Sequence, residues 1–333
     1  MEAALSRIAP HKGDRTVTPK VAVLIPCYNE EVAIPKVISD FRASLPDAEI
    51  YVYDNNSSDR TVEVARAAGV IVRGVSRQGK GNVVRQMFAD IEADAYVLVD
   101  GDDTYDAFSA PDMVQMLVTD KLDMVVGVRV TDEQEAYRSG HRMGNAMLTG
   151  FVTLLFGRSF SDMLSGYRVF SRRYVKSFPA MSEGFDTETE ITVHALGLRM
   201  PTAEVRTAYR SRPEGSESKL HTYRDGFRIL KAILTLFRSE RPLSFFSIVA
   251  AIFAIIGIVL IIPVLITYLD TGLVPRLPTA ILSMGLMVVA FLSFTSGVVL
   301  ETVTRGRQEI KRLFYLSVPH GAREPQQEGD HNW

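Results

Sequence analysis

Two stretches near the end of the chain, Leu243 to Leu269 and Leu277 to Leu300, contain no charged residue. Each is longer than the roughly 20 residues needed to cross the hydrocarbon core of a bilayer. They leave the chain two options, a pair of membrane spans or a pair of long buried core helices, and core helices of this length rarely lack a charge. The sequence therefore predicts a membrane hairpin closed by the short loop "DTGLVPR". Arg224, Arg228, Lys231, Arg238 and Arg241 crowd the near side of the first span, and Arg305, Arg307, Lys311 and Arg312 follow the second. By the positive-inside rule the chain is expected to be integral to a plasma or inner membrane, with both termini in the cytoplasm.

Just before the first span, Tyr223, Phe227, Leu230, Leu234 and Phe237 share one helical stripe, and Arg224, Arg228, Lys231 and Arg238 share the next. Such a helix lies in the membrane interface, with cations at lipid phosphates, or else packs as a plain amphipathic helix. The first twenty residues lack the apolar core of a signal peptide and read as a flexible cytoplasmic leader. The tail "HGAREPQQEGDHNW" is polar and reads as disordered.

From Val21 to about Val130, the β-rich runs "VAVLIP", "EIYVYD", "VIVRGV", "AYVLVD" and "MVVGVRV" alternate with helical patterns such as "AIPKVISDFRAS" and "TVEVARAAG". This is the rhythm of an α/β fold built on a mostly parallel, Rossmann-like sheet. Beyond it the pattern predicts a helix over "HRMGNAMLTGFVTLLFG", a strand at "GYRVF", a helix in "TETEITVHALGL" and a strand in "TAEVRTAYR". The expected organisation is a leader to residue 20, a catalytic domain over 21–220 and a juxtamembrane amphipathic helix over 221–242. Two transmembrane helices within 243–301 and a basic cytoplasmic tail over 302–333 complete it.

Ligands of such sheets gather at the carboxyl ends of the strands, where "CYNE", "DNNSSD" and "DGDD" all fall. A net charge of −2 supplies no general polyanion-binding surface, so no nucleic-acid partner is expected. The single cysteine, Cys27, can form neither an intramolecular disulfide nor a cysteine metal site, which leaves carboxylates to hold any metal. Asp100 closes a buried strand and Asp102 follows two residues on. Neighbouring carboxylates repel unless a cation sits among them. Mg²⁺ and Mn²⁺ take oxygen ligands and often only one or two carboxylates, the rest coming from phosphate and water. Asp100 and Asp102 thus predict a metal–diphosphate site, with an ordinary acidic turn as the plainer reading; Asp103 and Asp106 suit turn caps.

The motifs "VLIPCYNEE", "YVYDNNSSDRT", "RQGKGNVVRQM", "VDGDDTYD" and "DMLSGYRVF" occur in the order found in family-2 glycosyltransferases of the GT-A fold. With "RPEGSESKL" and the two spans, the chain resembles the polyprenyl-phosphate glycosyltransferases, which include dolichol-phosphate mannose synthases and bactoprenol glucosyltransferases. The resemblance runs from about Val21 to Leu316. It implies inverting transfer of one hexose from a nucleotide-diphosphate sugar to undecaprenyl or dolichyl phosphate, with Mg²⁺ or Mn²⁺ at Asp100 and Asp102. The donor is expected to be UDP-glucose or a similar UDP-hexose, with GDP-mannose as the alternative.

The same resemblance implies that Pro26, Tyr28 and Glu30 form the nucleoside pocket, and that Arg77, Gly79, Lys80 and Gly81 lie near the nucleotide. Asp54 would face the base, or else close an Asx turn with Asn55, Asn56 and Ser57. Arg129 matches an arginine near the reacting phosphates, and either Arg138 or Arg142 matches one that meets the lipid phosphate. Ser165, Gly166 and Arg168 would line the site; Arg212, Ser218 and Lys219 belong to a loop over the donor phosphates, flexible at Gly215. Thr104 stands where mannose synthases often carry a glutamine ligand, which leaves a third protein ligand open. Glu183, Asp186, Glu188 and Glu190 read as the acids of an exposed helix N-terminus, or as a source of a sugar ligand or base. His141, His194 and His221 read as structural or surface residues.

Two other functions compete. A processive polysaccharide synthase needs a Q-x-x-R-W motif, and the only tryptophan is Trp333. A non-catalytic membrane scaffold that binds nucleotide sugar has no need of Asp100, Asp102, Arg168 and Lys219 together. Two isolated spans per chain leave a homo-oligomer open.

Overall fold

The computed structural model of the chain describes residues 18–130, 149–154, 156–157, 160–180, 187–212, 231 and 233–319. Outside them lie Arg138, Arg142, Ser218 and Lys219 of the expected site, together with Glu183, Asp186, His141, His221, Gly215 and Trp333. Most of the expected interfacial helix (221–230), residues 1–17 of the leader and the tail from 320 also lie outside.

One seven-stranded sheet organises the described part of residues 18–212. Its strands are β1 (Val21–Cys27), β2 (Glu49–Asp54), β3 (Ile71–Gly74), β4 (Ala95–Leu98), β5 (Met124–Val130), β6 (Arg168–Ser171) and β7 (Thr202–Ala208). They lie in the order β3-β2-β1-β4-β6-β5-β7, and every pairing is parallel except those of β6, which runs against both β4 and β5. Side chains alternate across it. Ala22, Leu24, Tyr51, Tyr53, Tyr96 and Leu98 enter one core, while Val23, Ile25, Ile50, Val52, Ala95 and Val97 enter the other. The helices α1 (Ile34–Ser44), α2 (Thr61–Ala67), α3 (Lys80–Asp90), α4 (Ala110–Thr119), α5 (Arg172–Ser177) and α6 (Thr187–Gly197) accompany these strands. Burial on both faces is why the strands read as apolar runs in the sequence.

The chain leaves β1 for β2 and β3 on one side, then returns to place β4 on the other. That reversal opens a crevice beyond the carboxyl ends of β1 and β4, the usual ligand position in such sheets.

The two apolar stretches form α7 (Pro242–Thr271) and α8 (Leu277–Ser317). Both are long and apolar enough to cross a membrane, and only 17% and 11% of their most apolar windows are buried. Core helices would be mostly buried, so the core-helix reading does not hold. The helices meet along small residues at every seventh position, Ala250 and Gly257 on α7 and Ser283, Ala290 and Gly297 on α8. Ser283 Oγ donates to Gly257 O at 2.8 Å, and a Cβ on Gly297 would stand 2.9 Å from that of Phe246. α8 differs from expectation at its far end. The basic stretch after Leu300 continues the same unbroken helix to Ser317. In the helical residues 233–240, Ile233 and Leu236 pack on the sheet's core and Phe237 meets Phe151 and Phe245, so this portion of the expected interfacial helix rests partly on protein.

Candidate active site

Asp100 and Asp102 follow β4 at the crevice. Gly101 between them has to be glycine, because a Cβ there would lie 2.7 Å from Cys27 Sγ at the end of β1. Asp102 is buried; its Oδ1 accepts from Thr104 Oγ1 at 2.6 Å and its Oδ2 meets Arg212 at 2.6 Å. Thr104 therefore orients Asp102 through its side chain. Burial, and then the charge of Asp100, push the Asp102 carboxyl above its ordinary range, while Arg212 and Thr104 pull the other way. Asp106 accepts from Ser109 Oγ in the following turn, whereas Asp103 does not cap that turn but pairs with Lys36 of α1.

Asp100 meets Lys80 Nζ at 2.5 Å, and Lys80 also reaches Glu188 Oε1 at 2.5 Å. Lys80 opens α3 directly after Gly79, whose φ of 126° favours glycine. Asn55 staples the preceding loop: its Oδ1 accepts from Gly79 N at 2.7 Å, and its Nδ2 donates to Val75 O and Arg77 O. Burial pushes the Lys80 ammonium down, but Asp100 and Glu188 outweigh it and hold the group charged. Gly166 closes the other side of Asp100, where a Cβ would overlap the carboxylate. Gly166 is held by its N–H donating to Tyr105 Oη, and Ser165 by its hydroxyl donating to Gly127 O.

Glu30 is buried below the crevice with Arg212 at 3.9 Å, and its backbone carbonyl accepts from Ala33 and Ile34 at the start of α1. Asp54 closes β2: its Oδ2 accepts from Ser57 N at 3.1 Å, whereas its buried Oδ1 has no hydrogen-bond partner among the described residues. Asp54 Oδ2 thus closes the turn onto Ser57, the last of the residues expected to share it. Pro26 is half-buried in β1, Tyr28 and Arg77 are exposed, and Gly81 is buried in α3. Burial and the charges of Glu30, Asp54, Asp100 and Asp102 push the Cys27 thiol well above its ordinary range, so one sulfur registers all four carboxylates.

Arg168 is not brought to this cluster. It is fully buried, and its guanidinium donates to Ser165 O, Met163 O and Thr192 Oγ1, bracing the Ser165–Gly166 turn from behind. Arg129 binds Asp162 in a bidentate pair at 2.7 and 2.8 Å and lies over the Tyr209 ring. Glu188 departs from the exposed-helix reading, since it is buried against Lys80. Glu188 and Asn55 are the residues that sequence reasoning under-read; each acts through a partner more than 20 positions away.

Among the described residues the carboxylates of Glu30, Asp100, Asp102 and Glu188 face the cations Lys80 and Arg212. Hard oxygen ligands on one rigid turn fit Mg²⁺ or Mn²⁺.

A switch-point crevice with a paired-acid turn on a mostly parallel sheet defines the GT-A class of fold. The fold is shared with glucosyl-3-phosphoglycerate synthase of Mycobacterium tuberculosis, solved in complex with Mn²⁺, UDP and phosphoglyceric acid. The TM-score is 0.52 at 22% identity, covering 66% of this chain and 78% of that one. Residues 22–178 match the model described as glycosyl transferase family 2, and the chain belongs to that family and is a glycosyltransferase. It is 58% identical over 123 residues to Protein RfbJ of Shigella flexneri, covering 37% of this chain and 95% of that protein. It is also 31% identical over 222 residues to the dolichyl-phosphate hexose transferase of Haloferax volcanii, covering 66% of this chain and 95% of that protein.

Proposed function

We propose that this membrane enzyme moves one hexose from a nucleotide-diphosphate sugar, a UDP-hexose in the first instance, to a polyprenyl phosphate, with inversion and with the help of a divalent ion. The observation that carries the reading is the pair of acids Asp100 and Asp102 on one turn, in a crevice that also holds a buried carboxylate oxygen of Asp54 with no hydrogen-bond partner among the described residues. A nucleotide sugar answers both needs. Its base offers a ring N–H to Asp54 Oδ1, and its diphosphate brings a metal ion to the paired acids. The relative that transfers hexose to dolichyl phosphate supports the acceptor, and the mycobacterial synthase shows Mn²⁺ and UDP on the same fold.

Asp100 and Asp102 would hold the ion, which when bound withdraws charge from the departing diphosphate. Lys80 and Arg212, pinned between carboxylates, carry positive charge to the leaving oxygens; the matched Lys219 and Ser218 would add to this from the loop. The nucleophile is an oxygen of the acceptor phosphate, already anionic near neutral pH because the second pKa of a phosphate monoester is about 6. No base is needed to remove a proton. Arg138 or Arg142 would meet that phosphate, Pro26, Tyr28, Glu30, Arg77 and Gly81 would border the nucleotide, and Ser165 and Gly166 shape the wall against Asp100. Arg168 serves by bracing that wall, and Arg129 by its pair with Asp162. With α7 and α8 in the bilayer and the sheet on the cytoplasmic side, the crevice meets the lipid headgroup where it emerges.

Thermal shifts with Mn²⁺ and UDP-glucose, UDP-galactose, UDP-N-acetylglucosamine or GDP-mannose sort the donors. One of them is expected to raise the melting temperature in a metal-dependent way. No shift with any of the four would contradict the reading, and a shift with GDP-mannose alone would make the enzyme a mannose synthase.

A further inference from the structure

We propose that the cytoplasmic end of α8 is a strut that fixes the reaction crevice relative to the bilayer, with Tyr315 and Asp123 as the positioning residues that clamp it; this rests on the lipid-acceptor reading above. The helix runs unbroken from Leu277 to Ser317. Its course from Leu300 to Tyr315 amounts to about 22 Å of rigid rod beyond the apolar stretch.

The rod ends on a single polar clamp. Tyr315 is buried while its neighbours Leu313, Phe314 and Leu316 are all exposed. Its hydroxyl donates to Asp123 Oδ2 at 2.6 Å, across 192 positions of sequence. Asp123 is completely buried and also accepts from Ser171 Oγ at 2.7 Å and from Arg173 at 3.1 and 3.3 Å. The Arg173 guanidinium in turn lies 4.3 Å over the Tyr315 ring. The backbone of Asp123 bonds to Pro201 O and Ser171 N, so the clamp grips β5, β6 and the lead into β7 at one point.

Both elements that the strut touches reach the crevice at their other ends. Asp123 directly precedes β5, whose far end carries Arg129. Through Asp123 the strut also holds Ser171, the last residue of β6, and β6 begins at Arg168 beside the Ser165–Gly166 wall of the crevice. A tilt of the rod would therefore shift both walls of the crevice together with its height above the membrane. Tyr315 is the residue of this stretch that enters the sheet's core, and its hydroxyl carries the polar end of the contact to Asp123.

Two measurements in nanodiscs test the clamp. The only native cysteine is buried, so spin labels placed at exposed Phe108 and Val303 report the distance between sheet and span without background. The wild type is expected to give one narrow distribution, Tyr315→Ala a broadened or shifted one, and Tyr315→Phe, which keeps the ring under Arg173 but loses the bond to Asp123, one between them; an unchanged distribution in Tyr315→Ala would overturn the proposal. The second measurement compares transfer to a long polyprenyl phosphate in the disc with transfer to a short, water-soluble prenyl phosphate. Tyr315→Ala should lose about 10-fold on the membrane-borne acceptor and little on the soluble one, with Tyr315→Phe between it and the wild type. Equal losses on both acceptors would make Tyr315 an ordinary fold residue and refute the clamp. A wild type that transfers to neither acceptor would instead refute the hexosyltransferase reading, and the label distances would still judge the strut.

Discussion

Two buried carboxylate clusters sit at opposite edges of one sheet, and they are built on opposite principles. At the amino end of β5, Asp123 is saturated by Ser171, Arg173 and Tyr315. At the carboxyl end of β4, Asp100 and Asp102 share a crevice with Glu30 and Glu188, and among the described residues Lys80 and Arg212 pair with them. Removing charge from water is costly unless hydrogen bonds and counter-charges replace the solvent, and the first cluster meets that demand in full. In the second, burial and then the charge of Asp100 push the Asp102 carboxyl above its ordinary range against the pull of Arg212 and Thr104. Incomplete compensation of this kind persists in a fold where a ligand completes it, and it marks the functional edge of the sheet.

The contrast is sharpest when one acid is neutralised at each edge. Asp102→Asn should lower transfer by about 1,000-fold, since it removes one of the two acids proposed to hold the metal–diphosphate, yet leave the melting temperature unchanged or higher. A substantial fall in melting temperature would show that Asp102 is structural after all. Asp123→Ala should do the reverse, costing about 3 kcal/mol of stability by stranding Arg173 and two hydroxyls. Denaturation that matched the wild type would break the comparison from the other side.

Smaller effects refine it. In Gly166→Ala the new Cβ must displace the Asp100 carboxylate, and about 100-fold of transfer should go with it while the fold stands; activity near wild type would mean that Asp100 has room to spare. His194 belongs to the structural side of the molecule. Burial, and then Lys311, push it down to about 3 from an ordinary 6.5, so the neutral ring is the native form. A depressed pKa contributes stability above pH 6.5 that is lost as pH falls toward 3. Between pH 7 and pH 5 the wild type should lose about 2 kcal/mol through this ring, and His194→Gln should not. Parallel pH curves for the two proteins would count against that assignment.

Much of this was legible in the sequence. Apolar runs marked the strands, and the polar clusters at their ends fell at the crevice, because a doubly covered parallel sheet writes both signals into contiguous residues. The antiparallel course of β6 was not legible, since "GYRVF" looks the same in either direction. In the candidate site Arg212 meets both Glu30 and Asp102, and Lys80 meets Asp100, but Arg168 faces away from the acids into the core. An arginine in an active-site motif and one that braces that motif carry the same letter; only the acceptors around it, Ser165 O, Met163 O and Thr192, tell them apart. Glu188 looked like a solvated helix start because its partner Lys80 lies 108 positions away. Tyr315 carried no signal at all, being one aromatic residue in a stretch that read as a basic tail.

Labelled sugar recovered in lipid tests the central claim most directly. With the donor selected by thermal shift, purified wild-type protein in nanodiscs containing polyprenyl phosphate should move label into the organic phase with Mn²⁺ or Mg²⁺, and stop when EDTA removes the ion. Transfer that continues undiminished in EDTA would contradict the role assigned to Asp100 and Asp102.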